Sequence, residues 1–400
     1  MQSMTTPLLM IFALAVVSYF LARSRAVAVS GGDIRKLVSL PHQHGLNSFL
    51  STLVPPAGAV LVFALYARIS GSTPNWFFTL VILGLGVTGF ALSLLKIGTE
   101  SRARSYAERW IMGLLIFAST VAIMTTVGIV FSMLFETFNF FGQYDWRDFF
   151  FSLSWSPNFR GDSDLGIIPL LWGTLYVSVI ALLFAVPIGL FAAIYLSEYA
   201  GPRLRSIAKP AIEILAGIPT IVYGLFALIT VGPFLRDYFA EPMGLGQSAS
   251  SVMTAGLVMG VMLIPFVSSL SDDIINAVPQ AMRDGSLGLG ATQSETIRQV
   301  VIPAALPGIV GAILLAASRA IGETMIVVLG AGAAARLSLN PFEAMTTVTV
   351  KIVSQLTGDT DFASPETLVA FALGLTLFVI TLGLNVFALY IVRKYREQYE

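Results

Sequence analysis

Residues 167–196 read IIPLLWGTLYVSVIALLFAVPIGLFAAIYL and contain no charged side chain. A helix needs about 20 mostly apolar residues to cross the hydrocarbon core of a bilayer, which is about 30 Å thick. A helix also satisfies its own backbone hydrogen bonds, as a medium without water requires. This stretch therefore predicts a transmembrane helix, and it sets the class of the whole chain.

Apolar windows of comparable length recur along the sequence. The others are Leu8–Ala22, Phe49–Ala67, Trp76–Leu95, Trp110–Leu134, Ile214–Leu235, Val252–Leu270, Leu306–Leu329 and Leu368–Val392. Of the 23 basic and 23 acidic residues, only Arg319 and Glu323 fall inside any window. We predict an all-α integral membrane protein with about nine transmembrane helices.

The composition excludes several classes of function. Hydrophobic residues make up 56% of the chain and charged residues 12%, about half the charged share of a soluble protein, which excludes a soluble globular enzyme. The formal net charge is zero, so no basic surface for nucleic acid is expected. Cysteine is absent and His42 and His44 are the only histidines, so no metal site is predicted.

Lysine and arginine are concentrated in alternate loops between the windows. The richer loops hold the basic residues of 23–36, 96–109, 203–209, 283–298 and 393–396. Cytoplasmic loops carry the excess of these residues, so the N-terminus is expected outside and the C-terminus in the cytoplasm. The loops also suggest an N-terminal membrane region of three helices over 1–100. A domain of six helices over 101–400 follows, with a long cytoplasmic loop at about 271–305.

The chain lacks a phosphate-binding loop for ATP. Such a loop ends in Gly-Lys-Ser or Gly-Lys-Thr, where backbone amides and the lysine hold the phosphates. No lysine in this sequence follows a glycine. If ATP drives this protein, its hydrolysis with Mg²⁺ is expected on a separate chain, and this chain is expected to be a transport subunit without a cofactor or a catalytic residue.

The cytoplasmic loop contains a spaced pattern over residues 279–303. It reads PQAMRDGSLGLGATQSETIRQVVIP. The spacing resembles the coupling motif of ABC importer permeases: Glu-Ala-Ala, three residues, Gly, nine residues, Ile, one residue, Leu-Pro. The motif positions are occupied here by Asp284, Gly285, Ser286, Gly290, Val300, Ile302 and Pro303, with Ala291 after the glycine. The resemblance implies that two short helices joined at Gly290 dock into a groove on an ATPase subunit.

From about Trp110 to its end, the chain resembles the PstC-type permeases of phosphate-specific ABC importers. The likeness is carried by Leu171–Leu175, Ala193–Tyr199, Glu213–Gly224 and Arg319–Met325. It implies import of inorganic phosphate across a bacterial inner membrane. The implied partners are a second permease chain of the PstA type, an ATPase dimer of the PstB type and an extracytoplasmic phosphate-binding protein. Residues 1–100 look like an extra N-terminal region of some members.

Arg319 and Glu323 are the candidate residues of the substrate pathway. A charge inside the membrane costs about 2.5 to 3.5 kcal/mol on insertion scales, so such residues are functional candidates. Their i, i+4 spacing predicts one helix face, shared with Ala312, Ala316 and Ala320. Arg319 can donate a planar fork of hydrogen bonds to phosphate, and Glu323 can accept from the P–OH group that sulfate lacks. A structural ion pair is the alternative.

Pro187, Pro219 and Gly322 are candidate hinges. Proline removes a helical hydrogen bond, and neighbouring helices can satisfy the freed carbonyl. Static kinks are the alternative for all three positions.

Three other functions stay open on the sequence. The chain could be an ABC permease for another oxyanion, such as sulfate or molybdate. It could be an ion-coupled secondary transporter in which Arg319 and Glu323 relay protons. It could also be a membrane sensor that uses the N-terminal helices.

Overall fold

The computed structural model describes residues 5–71, 76–158, 163–358 and 363–396. Within these ranges, nine helices are long and apolar enough to cross a membrane, judged by length and composition. They are Thr6–Val29, Pro41–Ser70, Trp76–Leu95, Ala103–Phe141, Ile168–Tyr199, Thr220–Ala240, Val252–Asn276, Gln293–Ile321 and Pro365–Lys394. The predicted all-α membrane fold is confirmed.

Packing divides the chain into two compact units, Met1–Gly128 and Ile129–Glu400. The division falls inside a helix, so the predicted functional boundary near residue 100 stays a prediction. The first four helices are α1 Thr5–Val29, α2 Pro41–Ser70, α3 Trp76–Leu95 and α4 Ala103–Phe141, with a 3-10 turn at Ile34–Lys36.

Small residues bring α2 and α3 close together in the first unit. The hydroxyls of Ser48 and Ser93 lie 2.6 Å apart, and a Cβ on Gly89 would collide with the Ser51 carbonyl oxygen. The Thr52 hydroxyl also donates a hydrogen bond of 3.3 Å to the hydroxyl of Ser18 on α1. Close backbone approach and hydroxyl pairs are the usual way that helices associate in lipid, where burial of apolar surface drives little.

The second unit contains the remaining elements. Its helices are α5 Trp146–Phe151, α6 Ile168–Ile194, α7 Pro202–Ala216, α8 Thr220–Phe226, α9 Gly232–Leu235, α10 Val252–Asn276, α11 Gln280–Gly288, α12 Gln293–Thr296, α13 Ile302–Ile321, α14 Met325–Gly330, α15 Val348–Gly358 and α16 Pro365–Arg396. The π-helical segments are Tyr195–Tyr199, Ala227–Val231, Arg236–Ala240 and Ile297–Val301. Strands β1 Trp155–Ser156 and β2 Asp164–Leu165 form one short antiparallel pair.

Helix α10 forms the centre of the second unit. It packs on α6, α7, α13 and α14, and its residues Met259 and Leu263 are fully buried. Gly256 allows α6 to approach, because a Cβ there would meet the Ile180 side chain at 2.6 Å. This central helix fixes the positions of the two clusters of charged residues described below.

Two of the predicted windows are not continuous helices. The window Leu306–Leu329 is interrupted, because α13 ends at Ile321 and α14 begins at Met325. The window Ile214–Leu235 is interrupted between α7 and α8, where Pro219 supplies no amide hydrogen. A hydropathy window adds up the hydrophobicity of the side chains and carries no information on where a helix ends. This explains both errors.

Candidate functional site

The predicted coupling motif contains two helices separated by a glycine turn. Helix α11 ends two residues before Gly290, and α12 begins three residues after it. Gly290 has a φ of +92°, which L side chains rarely adopt. Thr292 and Glu295 form a capping box: the Glu295 carboxylate accepts from the Thr292 amide at 2.8 Å, and the Thr292 hydroxyl accepts from the Glu295 amide at 3.4 Å. These contacts hold the start of α12 in place.

The tip of the glycine turn is exposed and apolar. Leu289 is 92% exposed. Asp284 and Gly285 on α11 are also exposed, whereas Ser286 faces α12 and its hydroxyl lies 2.9 Å from that of Thr296. Leu287 is also 48% exposed, so two leucine side chains are exposed beside the glycine turn.

Arg283 anchors α11 to the body of the second unit. Its guanidinium donates to the Glu198 carboxylate at 3.0 Å and to the Ile275 carbonyl at 2.8 Å, and also donates to the Val278 carbonyl. Both charged side chains are only 12% exposed. The Gln293 amide donates to the Glu198 carbonyl at 2.6 Å, so Glu198 contacts both helices of the motif. Sequence reasoning missed this pair because 85 residues separate its members.

A continuous helical path runs from the glycine turn to the end of α13. Helix α12 passes through the π-helical segment Ile297–Val301 directly into α13. Ile302 and Pro303 follow the π-helical segment without a break, and Pro303 supplies no amide hydrogen to the helical ladder at this point. The motif is thus joined without a break to the helix that carries Arg319.

Arg319 lies in the last turn of α13 on its exposed side. Its guanidinium carbon lies 5.6 Å from the centre of the Phe266 ring on α10, within cation–π range. Arg319 is 13 residues beyond Leu306, the start of the predicted apolar window, which is about 20 Å along the helix axis. The structure therefore places a cation on the exposed side of a helix that is long and apolar enough to cross a membrane.

Glu323 lies outside α13, in the break before α14. Its carboxylate accepts from the amides of Thr324 and Met325, each at 3.0 Å, and its carbonyl accepts from the Thr349 hydroxyl at 2.8 Å. The predicted shared helix face with Arg319 is therefore wrong, because the helix ends at Ile321. Across the described residues, no ion pair within 4.0 Å joins Arg319 to Glu323.

The three candidate hinges lie in different settings. Pro187 is inside the unbroken helix α6, whereas Pro219 and Gly322 lie at the two helix breaks. The Tyr223 hydroxyl bridges one break by donating to the Leu215 carbonyl at 2.8 Å. Helices α8 and α14, which follow the two breaks, pack directly on each other. Their role as hinges stays a prediction.

A second cluster of charged residues ties α7 to α10. Asp272 accepts from Arg205 at 2.9 Å and from Lys209 at 2.7 Å, and from the Asn276 amide at 2.9 Å. The hydrogen bond from Lys209 to Asp272 raises the pKa of the lysine, which stays charged at neutral pH. The Asp272 side chain is 3% exposed. Sequence reasoning counted both cations as cytoplasmic and did not identify their shared partner.

Replacing Asp272 with alanine is expected to destabilise the chain by about 3 kcal/mol, because Arg205 loses its carboxylate partner and Lys209 keeps only the longer contact with Asp273. Asp273→Ala is the matched control, since the neighbouring carboxylate is 68% exposed and lies 3.6 Å from Lys209. The thermal unfolding midpoint of the detergent-solubilised chain measures the difference. Equal midpoints for the two variants would contradict this role of Asp272.

Two family models match this chain. One, described as a binding-protein-dependent transport system inner membrane component, matches residues 185–397. The other, described as a phosphate ATP-binding cassette transporter, matches residues 8–74. The first match includes the coupling motif, both helix breaks and Arg319, and the second covers most of α1 and all of α2.

Curated proteins and a solved structure are also similar. The phosphate transport system permease protein PstC of Mesorhizobium japonicum is 34% identical over 265 residues, covering 62% of this chain and 78% of that protein. The probable ABC transporter permease protein YqgH of Bacillus subtilis is 33% identical over 234 residues, covering 58% and 74%. A bacterial ABC transporter for alginate import shares the fold, with a TM-score of 0.50, 15% identity and coverage of 74% and 99%.

Proposed function

This chain belongs to the family of binding-protein-dependent transport system inner membrane components, and on that premise we propose that it conducts inorganic phosphate inward as a PstC-type permease subunit of an ABC importer. The chain is a multi-pass protein of the inner membrane. Its role is transport rather than catalysis. The proposed orientation has the N-terminus outside and the C-terminus in the cytoplasm, following the positive-inside rule.

The observation that carries this proposal is the exposed Arg319 beside a helix break. We propose that both lie at membrane depth, because the apolar window of the sequence continues past them to Leu329. Irregular backbone at that depth is tolerated where protein covers it or where it lines a water-filled cavity. An arginine facing lipid would be costly as well. A second permease chain of the PstA type on this face would cover the break and leave a polar pathway along Arg319.

Phosphate suits the chemistry of this position. A guanidinium binds a phosphate oxyanion through two parallel hydrogen bonds, and it keeps its charge at any physiological pH. Glu323 lies four residues further along and presents a carboxylate that can accept from a protonated phosphate oxygen, an interaction that sulfate cannot make. We propose Arg319 and Glu323 as the groups that the ion passes.

The energy is proposed to come from a PstB-type ATPase dimer that binds ATP and Mg²⁺. The exposed Leu289 and the turn at Gly290 would fit a groove on that subunit. Arg283 and Glu198 would hold the turn rigid while the ATPase dimer closes. An extracytoplasmic phosphate-binding protein would deliver the ion from the opposite side.

Uptake of labelled phosphate into vesicles containing the assembled complex tests this function. We expect uptake that requires ATP on the ATPase side, with suppression by excess unlabelled phosphate and little suppression by sulfate or molybdate. Equal suppression by either of these anions would indicate a permease for another oxyanion. Uptake that needs an ion gradient and no ATP would contradict the importer and indicate a secondary transporter.

A further inference from the structure

The first unit contains a cavity that the transport proposal does not use. Its volume is about 350 Å³, and it lies between α2 and α3, next to the start of α4. His44, Asn47 and Ser51 line it from α2, at spacings of three and four residues that place them on one helix face. Thr88 and Leu92 line it from α3. The packing of α2 against α3 therefore forms this cavity.

The end of the cavity near the start of α2 holds polar groups without partners. His44 is only 3% exposed, and its Nε2 finds no hydrogen-bond partner among the residues that the structure describes. The buried Oδ1 of Asn47 is unpaired in the same way. An unsatisfied buried polar atom costs about 1 to 3 kcal/mol, and such atoms in a native protein call for an explanation. A bound ligand would satisfy both groups.

The charge of the lining points to an anion. Lys96 lines the cavity just after the end of α3, and the lining includes no Asp or Glu. The described part of the chain also has no group of three His, Asp or Glu side chains that could hold a metal ion. The imidazole N–H of His44 and the ammonium of Lys96 are hydrogen-bond donors. Asn47 becomes a third donor when its amide is turned so that it presents its NH2 group in place of Oδ1. These donors match the oxygens of a phosphate group.

Apolar side chains also line the cavity, and some of them are exposed at the outside of the unit. Leu85 and Leu92 on α3 line it and are 38% and 51% exposed. Tyr106 and Trp110 on α4 line the cavity too, and such aromatic side chains are typical of the membrane interface. Under the proposed orientation this end of α2 faces the cytoplasm, where basic pockets between helices bind phospholipid headgroups.

We infer that this cavity binds a phosphate group, carried by an anionic phospholipid or present as free inorganic phosphate, through His44, Asn47 and Lys96. With a phospholipid, the acyl chains would lie along Leu85 and Leu92. With free phosphate, the apolar wall would stay in contact with the bilayer. The two sources differ in whether binding requires acyl chains.

Binding is measured on the purified full-length chain in a maltoside detergent that contains no phosphate. The probes are a short-chain phosphatidylglycerol, a diacylglycerol with the same acyl chains, and labelled inorganic phosphate. Tighter binding of phosphatidylglycerol than of diacylglycerol by about tenfold supports a phospholipid site. Saturable binding of inorganic phosphate, displaced by unlabelled phosphate, supports a site for the free ion.

Two variants test whether the bound group lies in this cavity. We expect His44→Leu and Lys96→Gln each to weaken binding of the phosphate-bearing probe by about tenfold, because each removes a donor to a charged group. His42→Leu and Lys36→Gln are the matched controls, since both residues are exposed and neither lines the cavity. The control variants are expected to bind as the unaltered chain does.

Lys96 is exposed, so its substitution tests the site even if His44→Leu does not fold. Circular dichroism and gel filtration establish folding for each variant. The inference is overturned if neither phosphate-bearing probe binds, or if diacylglycerol binds as tightly as phosphatidylglycerol and inorganic phosphate does not bind. It is also overturned if folded Lys96→Gln binds the phosphate-bearing probe as tightly as Lys36→Gln does.

Discussion

Arg319→Gln is expected to lower ATP-dependent phosphate uptake by about 100-fold in vesicles that contain the assembled complex. The ion must cross hydrocarbon depth with its charge compensated, and losing a compensating charge there costs about 2.5 to 3.5 kcal/mol. Each 1.4 kcal/mol corresponds to a factor of ten. Glutamine retains hydrogen-bonding capacity but has neither the charge nor the planar fork of arginine.

The matched control is Arg336→Gln. Arg336 is 56% exposed and contacts Glu343 only at 3.8 Å, so its loss removes the same charge without touching the helix break. We expect uptake by this variant to stay near that of the unaltered complex. Copurification of the ATPase with Arg319→Gln must be normal for the comparison to hold. Normal uptake by an assembled Arg319→Gln complex would show that the arginine has no part in the pathway.

Glu323→Gln tests whether the carboxylate beside Arg319 discriminates phosphate from sulfate. A glutamine oxygen can still accept from the amides of Thr324 and Met325, so the start of α14 is expected to keep its cap. We expect lower phosphate uptake and stronger inhibition by sulfate, because a neutral amide repels a fully ionised anion less than a carboxylate does. Unchanged competition by sulfate would rule out a role of Glu323 in discrimination.

Leu289→Asp is expected to abolish both copurification of the ATPase and phosphate uptake. Leu289 is 92% exposed, so its substitution should leave the thermal unfolding midpoint of the chain unchanged. A carboxylate in an apolar groove of a partner would be buried without a counter-ion, which costs several kcal/mol. The affinity for the ATPase should therefore fall by at least about 100-fold.

Leu339→Asp is the control for this prediction. Leu339 is 77% exposed but lies in the segment between α14 and α15, away from the coupling motif in the chain. Its variant should bind the ATPase and transport phosphate normally. Retention of the ATPase by Leu289→Asp, measured by affinity copurification, would mean that the glycine turn is not the contact surface.

Composition and window length were sufficient to predict the membrane class, because long uncharged runs have few folded alternatives in lipid. The predicted pair of helices around Gly290 also agrees with α11 and α12, although the docking role of that turn stays a prediction. The membrane class and the helix pair both depend on local sequence, because apolar runs and glycines determine where helices form and end over a few residues.

The long-range pairs could not be derived in this way. Arg283 and Glu198 have opposite charges, but so do many other pairs in the chain, and only the fold brings these two to 3.0 Å. The shared helix face of Arg319 and Glu323 was wrong for a local reason, since Gly322 ends α13 between them. Gly322 keeps a right-handed backbone with a φ of −87°, and Gly308 and Gly311 lie inside the same helix, so a glycine alone does not locate the break.

The unbroken helical path from Gln293 to Ile321 has a mechanical consequence for the proposed importer. Its 29 residues form a lever about 43 Å long, and tilting it by about 5° would move one end by about 4 Å relative to the other. A movement of the ATPase against the coupling motif would then displace Arg319 at the other end of the helix. ATP turnover without ion movement would then require this helix to bend, and the π-helical segment Ile297–Val301 with Pro303 and Pro307 after it is where bending is expected.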